Sequence, residues 1–176
     1  MEDKYVALNF PPSYSFLDYP NPTHWSLVLY LIGCNFCCPK CHNLKLQNIE
    51  ESDKSTLLIH TNTLLRYIEE NLRKEIPDSV VLSGGDPLFD NNLYFTKTFC
   101  ETFGKKVNIC IYTGYDINFV KENEITGFNY IKCGAYVEDL KQETFKTDYE
   151  MQLASSNQNF YDSNYKQISD NGLLKF

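Results

Sequence analysis

Residues 33–43 read Gly-Cys-Asn-Phe-Cys-Cys-Pro-Lys-Cys-His-Asn, and this stretch constrains the fold more than any other. Four of the seven cysteines fall between Cys34 and Cys41. They follow directly on Trp25–Ile32, a short and nearly all-apolar run that suits a strand buried on both faces. The fold must therefore deliver a thiol-rich loop from the carboxyl end of a buried strand. Cys34, Cys38 and Cys41 have the spacing C-x3-C-x2-C. Three soft thiolates on one short loop suit an iron–sulfur cluster. A four-iron cubane held by three cysteines leaves one iron open, and an open metal position is where a substrate or cofactor binds.

Two other metal chemistries share these residues. With Cys37 included, the loop reads C-x2-C-C-x2-C, a set for four-cysteine zinc. Structural zinc sites usually place their ligand pairs on separate turns, whereas here the pairs abut. A ferredoxin-like cluster would need Cys37 as a fourth ligand. Cys37 is otherwise expected to be a packed thiol or one just behind the ligands. A disulfide framework fits poorly, because no secretory signal precedes the cysteines and the others lie in apolar runs. Those two features point to a reducing cytoplasm.

A chain of 176 residues, 43% of them hydrophobic, suffices for one domain with a real core. The formal net charge of −7 argues against nucleic acid as the main partner, since phosphate binding needs a basic face. The longest apolar run, Leu27–Ile32, is too short to span a bilayer, so no membrane is expected.

Residues 1–24 form an arm with prolines at 11, 12, 20 and 22, which favour extended and turn conformations that wrap a core. Residues 50–55 read as a polar loop. Leu64, Leu65, Ile68 and Leu72 recur at helical spacing, which predicts a helix over 61–75, capped by Thr61 or Thr63 and stopped by Pro77. A second strand over 79–82 ends in Ser83-Gly84-Gly85-Asp86-Pro87, a turn whose glycines permit a close backbone approach. Phe95, Phe99 and Phe103 share one face of a helix over 90–103, with Cys100 beside them and Gly104 as the stop. A third strand over 107–112 leads to Thr113-Gly114-Tyr115, with Thr113 or Asp116 capping a short helix. A fourth strand spans 129–133, followed by Gly134. Beyond it the periodicity fades.

Strands alternating with helices imply crossover units and a parallel sheet. Each candidate turn follows the carboxyl end of a strand, where ligands gather in parallel α/β folds. A full eight-unit barrel needs about 250 residues. The expected fold is therefore α/β, an incomplete, open (βα) barrel whose open side can accept a macromolecule.

Cys34-x3-Cys38-x2-Cys41 followed by His42-Asn43 resembles the cluster loop of the radical S-adenosylmethionine enzymes. Ser83-Gly84-Gly85-Asp86-Pro87-Leu88 is similar to their Gly-Gly-Glu-type motif, which binds the amino group of S-adenosylmethionine, in the form found in activating proteins of anaerobic ribonucleotide reductase. Leu17-Asp18-Tyr19-Pro20, Tyr112-Thr113-Gly114-Tyr115, Gly134-Ala135-Tyr136 and Ser155-Ser156-Asn157-Gln158 resemble further strings of those activases. Two positions depart. Lys40 stands where many members carry an aromatic or small residue, and Cys133 where an acidic one is expected.

The resemblance implies a [4Fe-4S] cluster on Cys34, Cys38 and Cys41. It places S-adenosylmethionine at Ser83, Gly84, Gly85, Asp86, Thr113 and Gly114, and needs no catalytic side chain beyond the cluster. Asp86 serves through its carboxylate or by shaping its turn. The implied activity is generation of a glycyl radical on the anaerobic (class III) ribonucleoside-triphosphate reductase, with an electron donor such as flavodoxin. The domain occupies 25–158, between the arm and a tail over 159–176. The alternatives are a pyruvate formate-lyase-type activase, a deazapurine synthase, or a non-enzymatic zinc or iron–sulfur module.

Overall fold

Alternating apolar residues in four central strands give the sheet two buried faces, and each face is covered differently. The computed structural model describes residues 5–48, 50, 55–74 and 77–176. In chain order its elements are β1 (Tyr5–Asn9), β2 (Ser13–Ser15), β3 (Ser26–Leu31), β4 (Thr56–His60), α1 (Thr61–Arg73), β5 (Ser79–Gly84), α2 (Asp90–Phe103), β6 (Asn108–Tyr112), α3 (Ile117–Glu122) and β7 (Tyr130–Cys133). They are followed by β8 (Phe145–Lys146), β9 (Glu150–Gln152), β10 (Asn159–Asp162), β11 (Ser169–Asp170) and β12 (Leu173–Lys175).

The main sheet runs β10-β7-β6-β5-β3-β1-β4, with β2 also on β3. Strands β3, β5, β6 and β7 are parallel. Strands β1, β2 and β10 join antiparallel. The fold is thus α/β, with an open mixed sheet around a parallel centre.

Leu27, Leu29, Leu31, Val80, Leu82, Ile109, Ile111 and Ile131 face one way. They pack with Leu64 and Ile68 of α1, with Phe95, Phe99 and Phe103 of α2, and with Val120 of α3. The three phenylalanines pack in series, at ring-centroid distances of 5.8 and 5.1 Å. Burying each such side chain contributes about 1.5–3 kcal/mol. The other face carries Val28, Val81, Cys110 and, on β10, Phe160, and Tyr19, Leu153 and Leu174 cover it. Among the described residues no α-helix packs there. A small sheet, β11-β12-β9-β8, and the 16–20 segment provide that cover.

The three helices and four parallel strands fall within a residue or two of their expected positions, apart from Glu75, which lies outside the described residues. The second strand runs on through Gly84. Elsewhere the chain differs from expectation. The proline-bearing arm does more than wrap: β1 sits between β3 and β4 with Val6 and Leu8 buried, and only residues 1–4 of it lie outside the description. Of the expected loop over 50–55, residues 51–54 lie outside the described residues. His60, rather than a threonine, caps α1, its Nδ1 accepting from the Asn62 amide at 3.2 Å. Thr61 is buried instead. The tail over 159–176 is ordered as β10, β11 and β12, strands of two to four residues that carry too little pattern to read.

Candidate functional site

The turns that follow β3, β5, β6 and β7 meet at one edge of the sheet. Backbone bonds close the cysteine loop on itself: the Gly33 amide donates to the Leu46 carbonyl at 2.8 Å, and Cys34 to Gln47 at 3.0 Å. The β5 turn is stitched to the same loop. Gly85 N–H donates to Leu31 O and Asp86 N–H to Gly33 O, both at 2.8 Å, while Asn43 Nδ2 donates to Gly84 O at 3.1 Å. The two glycines make this closeness possible. Gly84 has φ +115°, and a Cβ on it would lie 2.2 Å from Leu31 O; one on Gly85 would lie 2.4 Å from Gly33 O.

Asp86 ties the β5 turn to the β6 turn. Its buried carboxylate accepts from Leu88 N at 2.8 Å, Thr113 Oγ1 at 2.8 and 3.0 Å, and Gly114 N at 2.7 Å. Burial raises its pKa, opposed by the Gly114 and Leu88 amides, the Thr113 hydroxyl and the charge of Lys132. Three of the expected cofactor contacts, Asp86, Thr113 and Gly114, are therefore bonded to one another. Their polar groups hold two turns in register.

Sequence reasoning missed Lys132. Its ammonium donates to Thr113 O at 3.2 Å and Gly134 O at 3.1 Å, joining the turns after β6 and β7. Burial lowers its pKa, with Asp86, Cys133 and Cys38 opposing. The strand reading over 129–133 contained the signal, since period two sets Lys132 opposite Ile131, on the face away from the helices. The same alternation puts Cys133 in the helix-side core, where burial pushes its thiol up to about 12. Cys100, in α2, is likewise buried and pushed up to about 12.

These groups line a cavity of about 940 Å³. Cys34, Cys38 and Cys41 form one wall, with Ser83, Gly84, Gly85 and Asp86 beside them and Thr113, Gly114 and Lys132 beyond. Every expected site residue lines it. Cys37 does not: it is exposed, with φ +47°, so it is not the packed thiol expected. Phe36, which also lines the cavity, meets Tyr115 edge-on at 4.8 Å, and the Asn35 side-chain amide donates to the Tyr115 hydroxyl at 3.1 Å, anchoring the loop on the segment before α3. Lys40, which also lines the cavity, pairs with Glu138 at 2.5 Å, and Glu138 also accepts from Tyr136 Oη at 2.7 Å. The Lys40 and Tyr136 bonds lower the Glu138 pKa.

The donor set fits a cluster. Burial pushes the Cys34 thiol up to about 11, partly offset by the Phe36 amide, and Asp86, Cys38 and Cys41 raise it further. Binding iron would displace such protons. Among the described residues no three His, Cys, Asp or Glu side chains converge around a single ion. A cubane asks for a different arrangement, with each thiolate on its own iron, and the three half-buried cysteines that line this cavity would hold it.

The Ser155–Gln158 string also has a place. Gln158 Nε2 donates to Gly134 O at 3.1 Å, its Oε1 accepts from Ser155 N at 3.2 Å, and Asn157 Nδ2 donates to Ala135 O at 2.8 Å. The string fastens the turn after β7.

A family profile described as a 4Fe-4S single cluster domain matches residues 25–161. Over 127 residues the chain is 25% identical to the anaerobic ribonucleoside-triphosphate reductase-activating protein of Enterobacteria phage T4, covering 70% of this chain and 78% of the phage protein. Over 74 residues it is 35% identical to a Methanocaldococcus jannaschii protein provisionally named a glycyl-radical enzyme activating enzyme. That match takes in 42% of this chain and only 26% of the archaeal protein.

Proposed function

The chain belongs to the 4Fe-4S single cluster domain family, and on that footing we propose that it is a radical S-adenosylmethionine activase that generates a glycyl radical on the anaerobic ribonucleoside-triphosphate reductase. One observation carries the reading. Cys34, Cys38 and Cys41 share a cavity with the turns at Gly84–Asp86 and Thr113–Gly114, while Cys37 lies outside it. That arrangement favours three ligands and one open iron over four-cysteine zinc.

When bound and reduced, the cluster would supply one electron to the sulfonium of S-adenosylmethionine, opening a carbon–sulfur bond to give methionine and a 5′-deoxyadenosyl radical that takes a hydrogen atom from a glycine Cα of the partner. The chain's own residues position that chemistry. Ser83 and the backbone of Gly84, Gly85 and Gly114 offer polar contacts along the cavity wall. Asp86 and Thr113 act by holding the turns. Lys132 gives the cavity a cation for an anionic ligand group. The open sheet is read as an incomplete barrel, with the helix-free face as its interior and the cavity mouth as the way in for the partner. A flavodoxin-like carrier would supply the electron, in a cytoplasm that keeps the thiols reduced.

Anaerobic reconstitution with iron and sulfide, then dithionite and S-adenosylmethionine, tests the reading. The expected product is 5′-deoxyadenosine, lost in Cys38→Ala. A protein that loads zinc in place of iron under these conditions would refute it.

A further inference from the structure

The Leu17-Asp18-Tyr19-Pro20 string has no role in the site described so far, yet it is held by an unusual set of bonds. Four consecutive carbonyls, those of residues 16–19, are all engaged by side chains from distant elements. Lys146 Nζ, on β8, donates to Phe16 O at 2.8 Å, to Leu17 O at 3.1 Å and to Tyr19 O. Tyr112 Oη, on β6, donates to Asp18 O at 2.8 Å. Tyr19 itself is buried, edge-on to Tyr130 at 5.6 Å. The backbone of this strap is thus fixed from two sides, with an ammonium spent wholly on main-chain oxygens.

Two large apolar side chains, one on the strap and one on β8 beside it, are not buried. Leu17 is 70% exposed and Phe145, next to Lys146, is 42% exposed, yet both line the same cavity as the three cysteines. Large apolar side chains on a fixed backbone, left in water at the mouth of a cavity, mark an interaction site. The ammonium is turned inward onto carbonyls, so Leu17 and Phe145 are the apolar points of this lip, with Asp18, Glu143 and Thr144 as its polar neighbours.

We propose that Lys146 and Tyr112 are positioning residues that hold this strap as a docking lip, and that Leu17 and Phe145 receive the partner segment that carries the glycine. The proposal rests on the activase reading. A glycine has no side chain, so the cavity can gain little affinity from the reacting residue itself. Affinity must come from the apolar residues flanking it, which meet the mouth as the glycine enters. A lip ordered beforehand lowers the entropic cost of that docking.

The test measures two products in one reaction with the anaerobic reductase of the same genome: glycyl radical by electron paramagnetic resonance, and 5′-deoxyadenosine by chromatography. In a Leu17→Ser/Phe145→Ser double variant, with iron content matched, radical formed per 5′-deoxyadenosine should fall by about tenfold or more. Lys146→Met should fall in the same direction, and Lys146→Arg, which still donates to several carbonyls, should recover most of the loss. A merely structural lysine would lower both products together and leave their ratio unchanged. An unchanged ratio in the double variant overturns the lip. If the wild type makes no 5′-deoxyadenosine, the activase reading fails. The lip is then judged by capture of the reductase on immobilised protein: equal capture by wild type and double variant overturns it, and loss confined to the variant supports it.

Discussion

Asp86 lies at the centre of the turn network, and replacing it separates a strut from a ligand-binding group. The carboxylate accepts from three donors, the amides of Leu88 and Gly114 and the Thr113 hydroxyl. In Asp86→Ala the hydroxyl can rotate to another acceptor, but the two amides cannot. Each buried donor left unmet costs about 1–3 kcal/mol. Against this, the variant no longer has to desolvate a carboxylate whose pKa burial already raises. The net loss should be about 2–4 kcal/mol. Asp86→Asn keeps one oxygen for Leu88 and Thr113 but turns an NH2 toward the Gly114 amide. It should lose about 1–3 kcal/mol.

Urea unfolding of the metal-free protein reads this directly, as a lower midpoint at constant slope in the order wild type, Asn, Ala. The pH dependence has a definite sign. A folded pKa raised above the unfolded value means that the native state holds the proton longer. Wild-type stability should therefore fall as pH rises from the ordinary aspartate range through the raised folded value, and Asp86→Asn should lack that slope. A stable Asp86→Asn protein that no longer binds S-adenosylmethionine would refute the strut and make the carboxylate a ligand contact.

Replacing Cys34, Cys38 or Cys41 by alanine should each abolish cluster loading, while Cys37→Ala retains it; iron content and the visible spectrum of the four variants check this. Gly84→Ala should not yield a native fold, because its Cβ would sit 2.2 Å from Leu31 O at φ +115°; circular dichroism and soluble yield report the outcome. Lys132→Met leaves the Thr113 and Gly134 carbonyls without their shared donor and removes a cation from the cavity. Although Lys40, Lys141 and Lys146 also line the cavity, losing this buried cation should weaken S-adenosylmethionine binding by about tenfold, near 1.4 kcal/mol, as measured by calorimetry on the reconstituted protein.

The helix-side half of the fold was legible because long elements carry long patterns. Phe95, Phe99 and Phe103 repeat every four residues for the length of α2, and β3, β5 and β6 have apolar runs at their centres. The other half was not legible, for a physical reason. It is built from Tyr19, Leu153 and Leu174 over Phe160 of the edge strand β10, single residues drawn from short strands and a turn far apart in sequence. No window of residues contains that pattern, because the contacts forming it are long-range.

The same division runs through the site. Cys34, Cys38 and Cys41 lie on one loop, so eight residues displayed their spacing. Lys132 and Lys146 reach carbonyls of other segments, and their partners at Thr113, Leu17 and Tyr19 come together only when the sheet has formed. A lysine inside a short strand looks like a solvent-facing residue until its strand is known to have two buried faces. Here the second face is filled at one end by the small sheet and left open at the other, where the four turns stand. Lysines on that face must find oxygens within the protein, since burial without a partner is costly. The oxygens they find belong to the turns and the strap that line the cavity. The side chains least legible in the sequence are therefore the ones that set the cavity's shape, and the cysteine loop, legible at once, depends on them for what it can bind.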